Sequence, residues 1–409
     1  MTDEHRPVVA GVDTHKDTHH AAVISGTGEH LAAAQFPATP SGYRALTQFI
    51  TCRGTLIRAG IEGTNSYGAG LARHLRQAGV EIVEVIRPAR QVRRMRGKSD
   101  QIDAYAAAHI ALAATDTVTA KTGTGSIEAI RVIHAARRSA LKARTEVIQQ
   151  IKSLLVTAPE PVRAEYRDLS TTRLVPRLVA SRARTGDNQV AARTRTVLKR
   201  LAARYQQLDA EITAHDADLT QLVETANPAL IQAKGIATIT AAQLLITAGD
   251  NPERITSEAA FAMLCGAAPI PASSGRTTRH RLNRGGDRAA NSALHRIALV
   301  RLATDADTRA YAAKRTAEGK SKTDILRCLK RAIAREVFHL ITKPQPAQSA
   351  ADLRPARQQL GLTITDVANA LECSIAKISR IERGHIRDTR FLHEYRDWLA
   401  TQQPLETAA

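Results

Sequence analysis

Apolar positions in the first hundred residues come as short β-branched runs separated by helical stretches. Val8–Val12 is an unbroken apolar run that ends on Asp13, and His20–Ser25 continues extended. The Gly26-Thr27-Gly28 turn returns the chain into Leu31–Phe36, a third strand. Pro40-Ser41-Gly42 opens a helix that runs to about Ile50, and Leu56–Ile61 reads as a buried strand ending on Glu62. Gly68–Gln77 is helical and Gly79 stops it; Val80–Ile86 is the next strand. A basic loop from Arg87 to Lys98 leads to the Ala-rich helix Ile102–Ala114. Hairpin strands followed by alternating helices and strands predict an α/β layer.

The period then changes. Leu141, Ile148, Ile151 and Leu155 make one helical stripe. Leu198, Leu201, Tyr205, Leu208, Ile212, Leu219 and Leu222 make a second, in 3-4 alternation with His215 as its polar seam position. That pattern predicts a coiled coil or a long helical hairpin. Between the stripes, Thr157–Asn188 reads as an irregular connection because of its prolines and arginines. Residues 230–342 form a mostly helical unit, KPQPAQSAA (343–351) a linker, and the rest a small helical module. The expected division is 1–120, 121–229, 230–342, 343–351 and 352–409, an α/β fold followed by α domains.

Composition narrows the partners. Of 409 residues, 58 are Lys or Arg and 39 Asp or Glu, a formal charge of +19 that points to a polyanion. Aromatics are only 3 %, too few for a binder built on base stacking, so the basic residues should track phosphates instead. Cys52, Cys265, Cys328 and Cys373 are scattered, which supports neither a zinc nor a redox motif. No apolar run approaches a membrane span and the N-terminus lacks a signal core, so a cytoplasmic, nucleoid-associated protein is expected.

Four acids stand where chemistry would need them. Asp13 and Glu62 end strands, and Asp100 and Asp103 lie three apart at a helix start, on one face. Carboxylates at strand ends gather at one sheet edge and repel unless cations neutralise them; oxygen donors suit Mg²⁺ or Mn²⁺. Taken singly, each acid also reads as a solvated group or a cap, and Asp17 and Glu81 are equally acidic neighbours. His15, His19 and His20 lie near Asp13, but without an HExxH glutamate zinc is not expected. His15 and Lys16 read instead as phosphate contacts or supports for Asp13.

The segments VVAGVDTHKDTHHAAVIS, AGIEGT and RGKSDQIDAYAAA resemble the N-terminal half of the DEDD insertion-sequence transposases, the insertion sequence 110 family, related to Piv-type invertases. The resemblance implies a fold like RNase H and the Holliday-junction resolvases, with Asp13, Glu62, Asp100 and Asp103 as metal ligands. KGIATITAAQLLITAGD (234–250) resembles a helix-hairpin-helix turning at Gly235. CGAAPIPASSGRTTRHRLNRGGDRAANSALHRIAL (265–299) resembles the family's C-terminal domain, which puts the reactive hydroxyl on Ser274, with Ser273 adjacent. Arg276, Arg279, Arg281, Arg284 and Arg288 would bind the phosphodiester. LRPARQQLGLTITDVANALECSIAKISRIERG (353–384) resembles a Cro/repressor-type helix-turn-helix, with Ser374, Lys377 and Arg380 on the recognition helix. Glu372 replaces the usual turn glycine and Ile364 the usual glutamine.

The implied function is DNA strand cleavage and exchange that moves an insertion sequence, guided by an element-encoded RNA, acting on double-stranded DNA as a homo-oligomer. The rival readings are a metal-dependent junction resolvase or nuclease, and a non-catalytic repressor.

Overall fold

The computed structural model describes residues 6–85, 99–113, 118–275, 280–343, 350–384 and 389–402. The basic loop after residue 86, Arg276, Arg279 and most of the 343–351 linker lie outside the described residues. The chain divides into two units, residues 1–125 with 249–254, and the remainder.

The first unit is a six-stranded sheet in the order β3-β2-β1-β4-β5-β6. β1 (Pro7–Thr14), β2 (Thr18–Ser25) and β3 (His30–Pro37) form an antiparallel meander. β4 (Thr55–Ile61) pairs parallel with β1, and β5 (Glu81–Glu84) parallel with β4. β6 (Val118–Thr119) closes the edge antiparallel. Alternation splits β1 between two cores. Val8, Ala10 and Val12 pack in the same core as Leu46 and Ile50 of α1 (Pro40–Thr51) and Leu71, Ala72 and Leu75 of α2 (Ala69–Gln77). Val9 shares the opposite face with Ala108 and Ala111 of α3 (Asp100–Ala113).

Two glycines set how closely α3 approaches. Gly11 of β1 stands beside Gly60 of β4 in register. A Cβ at Gly11 would fall 2.1 Å from the Ala104 carbonyl oxygen, and one at Gly60 would fall 2.6 Å from that of Ala107. The helix meets them with its small side, Ala104, Ala107, Ala108 and Ala111, all buried. Backbone therefore rests on backbone at the point where the helix and two strands converge.

In the second unit, α4 (Ser126–Thr157) and α7 (Gln189–Ala226) pack along each other. Arg137 pairs with Asp216 and Arg144 with Asp209, so a seven-residue step up one helix matches a seven-residue step down the other. The pair is antiparallel and within one chain, with Leu198, Ile212 and Leu219 buried. The segment expected to be irregular instead holds two short helices, α5 (Glu160–Tyr166) and α6 (Thr171–Val179). Val162, Tyr166, Leu174 and Leu178 join Leu198 and Ala202 in a separate core there. Pro159 lies just outside α5 and Pro161 in its first turn, where a missing N–H costs nothing.

α8 (Pro228–Gln232) and α9 (Thr238–Ala248) flank a turn at Gly235, whose φ of 72° suits glycine. A 3₁₀ turn (Pro252–Arg254) of the first unit intervenes, then α10 (Glu258–Leu264) and a short hairpin of β7 (Ile270–Pro271) and β8 (His280–Arg281). The helices α11 (Arg288–Thr304), α12 (Ala306–Ala317) and α13 (Lys322–Thr342) follow. The terminal module is four short helices, α14 (Leu353–Gln359), α15 (Ile364–Ala370), α16 (Ile375–Glu382) and α17 (Thr389–Thr401), around Val367, Ile378, Ile381 and Tyr395.

Candidate active site and nucleic-acid interface

β1 and β4 run parallel, so their ends deliver Asp13 and Glu62 to the same sheet edge. The Glu62 N–H donates to the Val12 carbonyl at 3.2 Å, and the Thr14 hydroxyl donates to the Glu62 carbonyl at 2.7 Å. α3 begins at that edge and carries Asp100 and Asp103 in its first turn. Asp13 is buried, at 6 % exposure. Burial raises its carboxyl above the usual carboxylate range; His15 opposes this, while the charges of Glu62, Asp103 and Asp100 raise it further. The four acids thus occupy one electrostatic neighbourhood.

His15 enters this cluster directly. Its Nε2 lies 3.3 Å from an Asp13 oxygen and 3.4 Å from an Asp100 oxygen. Asp13, His15 and Asp100 place their ligand atoms within 4.8 Å of one another, close enough to hold one metal ion. The donor set fits a divalent cation: a buried carboxylate held among like charges gains most from a neutralising ion. The neighbouring acids are otherwise engaged or placed. Glu81 pairs with Arg58 at 2.9 Å, and Asp17 is exposed in the β1–β2 turn. Glu84 is an acid that sequence reasoning missed. It stands opposite Ile61 at the end of β5, its carboxyl is raised by burial, and it feels the charge of Glu62. Its signal is a strand-ending acid next to β4, visible only once the parallel register is known.

Ser273 and Ser274 belong to the second unit and are exposed at the far end of the β7–β8 hairpin, before Gly275 at φ 54°. Arg281 lies at the hairpin base opposite Ile270. Arg281, Arg284 and Arg288 are exposed, as is Lys16 in the first unit. Asp287 caps α11 through the N–H groups of Ala289 and Ala290, and accepts from the Thr247 hydroxyl at 2.7 Å. That cap fixes the start of the helix on which Arg288 is the first residue.

In the terminal module Ser374 caps α16, accepting from the Lys377 N–H at 3.2 Å. Lys377 places its ammonium 3.6 Å from the centre of the Phe391 ring, a cation–π contact. Arg380 is exposed, and so are Ile375 and Ala376 on the same helix. Glu372 is the one described non-glycine residue with positive φ, 47°, at the position where the motif favours glycine. Arg357, buried, holds Glu382 with two hydrogen bonds of 2.7 and 3.1 Å, and the Tyr395 hydroxyl donates to Glu382 at 2.8 Å. That network also escaped sequence reasoning.

Among the described residues no helix is long and apolar enough to cross a membrane. Residues 10–158 match a family model described as a transposase of the DEDD, insertion sequence 110 type. Residues 227–313 match the transposase IS116/IS110/IS902 family, and residues 350–405 a helix-turn-helix domain. The chain is 26 % identical over 378 residues to the insertion element IS900 uncharacterized 42 kDa protein of Mycobacterium paratuberculosis, covering 80 % of this chain and 93 % of that one. It is also 26 % identical over 332 residues to a mini-circle transposase candidate for IS117 from Streptomyces coelicolor, covering 68 % and 80 %. With both transposase models matched in order, the chain is a transposase of the insertion sequence 110 family, carrying a helix-turn-helix domain behind the transposase domains.

Proposed function

We propose that this transposase is a Mg²⁺-dependent DNA recombinase that uses Ser274 as its nucleophile and an element-encoded RNA as its guide. The observation that carries the reading is the convergence of Glu62, Asp100 and Asp103 on the buried carboxylate of Asp13. The strand order 3-2-1-4-5, with the meander antiparallel and β1, β4 and β5 parallel, supports an RNase H-like assignment for the first unit. Asp13, Asp100, Glu62 and Asp103 would hold Mg²⁺ or Mn²⁺, which when bound supplies charge neutralisation at the reacting phosphate oxygens.

The protein's own groups do the rest. Ser274 Oγ attacks a DNA phosphorus and loses its proton; the P–O bond to one deoxyribose oxygen breaks, and that oxygen leaves as a hydroxyl. The phosphoserine diester keeps the bond energy, so religation needs no added nucleotide. Arg281, Arg284 and Arg288, with Arg276 and Arg279, bind the anionic phosphate and its transition state. The low aromatic content and the +19 charge favour recognition of duplex backbone, DNA or guide RNA, over stacking. Ser374, Lys377 and Arg380 serve a separate DNA contact by the terminal module. The chemistry needs both the acids and Ser274, and a homo-oligomer provides copies of each; Val190 and Val197, 62 % and 43 % exposed and one heptad apart on α7, offer apolar surface for a second copy.

The test is a labelled DNA substrate with co-purified RNA and Mg²⁺, followed by denaturing electrophoresis and peptide mapping. A protein–DNA band that maps to Ser274 and vanishes in Ser274→Ala is the expected result. Active cleavage with free ends and no adduct would overturn the serine step and favour a nuclease, and a band mapping to Ser273 would move the nucleophile by one residue.

A further inference from the structure

A cavity of about 600 Å³ opens between the loop 266–269, strand β8 and helix α13. Its wall carries Arg281, Lys320, Arg327, Lys330, Arg331 and Arg335 against one carboxylate, Asp324. Most of the cations on α13 already have an acceptor. Arg327 meets Asp324 at 2.8 Å, Arg335 meets Glu258 at 3.0 Å, and Arg331 donates to the Glu258 carbonyl at 3.1 Å.

Lys330 differs. It is half-buried, and its Nζ donates to Asn291 Oδ1 at 3.0 Å. Among the described residues no carboxylate reaches it. Burial pulls its ammonium below the ordinary lysine range and the nearby Arg327 charge lowers it further. The orientation of Asn291 is not free to vary. Its Nδ2 donates to the Cys265 carbonyl at 3.0 Å and the Gly266 carbonyl at 2.9 Å, which leaves its oxygen for Lys330. The fold therefore holds a partly desolvated cation in place with a neutral dipole, in a cavity walled by further cations. An arrangement of this kind lacks an anion.

We propose that this cavity binds a nucleic-acid phosphodiester, with Lys330 as the central charge and Asn291 as its positioning residue. The proposal rests on the transposase reading and adds to it a phosphate site centred on α13 that shares Arg281 with the serine hairpin. Arg327, Lys330 or Arg331, and Arg335 follow one face of α13 at i, i+3/i+4 and i+8, a row of about 12 Å. That exceeds the ~3.4 Å axial spacing of charges along one strand, so the row suits a polymer better than a single small anion. Arg281 belongs both to the cavity and to the base of the hairpin that carries Ser274.

The experiment measures binding of the full chain to a 20-base-pair DNA duplex, and to an RNA duplex of the same sequence, across a salt series. Lys330→Met removes the charge and keeps most of the volume; Lys330→Arg restores it. Loss of one phosphate contact should reduce the slope of log affinity against log salt by about 0.9 on duplex DNA, with recovery in the arginine variant. The nucleic acid whose slope changes is the source of the phosphate. Without nucleic acid, Lys330→Met loses one hydrogen bond to Asn291 but no counter-ion, so its melting temperature should stay close to the parent's. An unchanged slope on both duplexes overturns the proposal, and so does a slope change accompanied by early melting, which marks a structural lysine. Arg327→Gln, at an exposed position already paired with Asp324, is the comparison variant and should lower the slope by less than Lys330→Met; an equal or larger loss would overturn Lys330 as the central charge. Ser274→Ala separates the readings: it should lose the covalent adduct and keep the full slope. A normal adduct with an unchanged Lys330→Met slope would leave the transposase chemistry standing and the cavity unassigned.

Discussion

Replacing Gly11 by alanine tests whether the contact between α3 and the sheet sets the acid geometry. The new Cβ would lie 2.1 Å from both the Ala104 oxygen and the Ala108 nitrogen. A carbon–oxygen contact needs about 3.3 Å, so α3 and β1 must separate by about 1.2 Å locally. Nothing flexible can absorb the shift, because the atoms met are helix backbone. Asp100 and Asp103 travel with the first turn of α3, while Asp13 and Glu62 stay with the strands. Overpacking of this kind costs about 1–3 kcal/mol of stability, and a 1 Å misplacement of reacting groups costs about 10²-fold in rate.

Gly60→Ala provides a graded comparison. Its Cβ would be 2.6 Å from the Ala107 oxygen, a deficit of about 0.7 Å, and Ala107 lies one turn further from the acids than Ala104. Gly26→Ala is the control, since its nearest neighbour would be the Pro7 ring at 3.3 Å. Strand-cleavage rates at saturating Mg²⁺, with melting temperatures beside them, should rank parent and Gly26→Ala first, Gly60→Ala next and Gly11→Ala last. A folded Gly11→Ala protein with parental rate and metal dependence would refute the argument that backbone contact at Gly11 positions the acids.

Other outcomes follow from individual contacts. Asp13→Asn relieves the repulsion around a buried carboxylate, so it should raise the melting temperature in chelator and abolish both the stabilisation by Mg²⁺ and strand cleavage; parental cleavage would remove Asp13 from the metal site. If the chain self-associates through α7, Val197→Asp should lower the mass seen by light scattering at unchanged melting temperature, and an unchanged mass would exclude this face of α7 as the contact. Arg357→Ala leaves Glu382 buried without its cation and should destabilise the terminal module by about 3–5 kcal/mol, read by amide exchange in α14–α17. Glu372→Gly relieves a left-handed backbone and should stabilise that module by about 1 kcal/mol; destabilisation would show that the Glu372 side chain matters more than its φ.

The acids were legible because a strand that ends on a carboxylate leaves the same trace in any α/β sheet. Asp13 follows an uninterrupted apolar run and Glu62 one broken only by Arg58, and Asp100 and Asp103 share a helix face whichever way it packs. His15 and Glu84 were harder, since their approach to the cluster depends on the turn after β1 and on the parallel pairing of β4 with β5. Gly11 and Gly60 have no local signature at all: 49 residues separate them, and only the register makes them one contact. The helices at Glu160–Tyr166 and Thr171–Val179 were hidden by prolines that read as breakers. Those prolines stand at a helix start, where they are favoured, or, as Pro176, within a helix that tertiary packing maintains. The buried Arg357–Glu382 pair spans 25 residues, and neither residue type is expected inside a module of that size.

The charge excess acquires meaning only when its arginines are sorted by what they touch. Along the antiparallel helices Arg137 and Arg144 are matched by Asp216 and Asp209. In the neighbouring core, buried Arg195 is held by Glu165 and Asp187 at 2.7 and 3.1 Å. Arg301 engages Glu336, and Arg357 engages Glu382. These cations are structural, and a salt titration should be indifferent to them. The surplus lies elsewhere: Arg281, Arg284 and Arg288 are exposed after the serine, and Lys330 is held by an amide where a carboxylate would have neutralised it. A protein selected only for stability would place acids opposite such a row, as this chain does along its long helices. Among the described residues no carboxylate pairs with Lys330 or with those three arginines, while Arg327 and Arg335 of α13 are matched, and that unmatched set is the physical mark of a partner that brings its own negative charge.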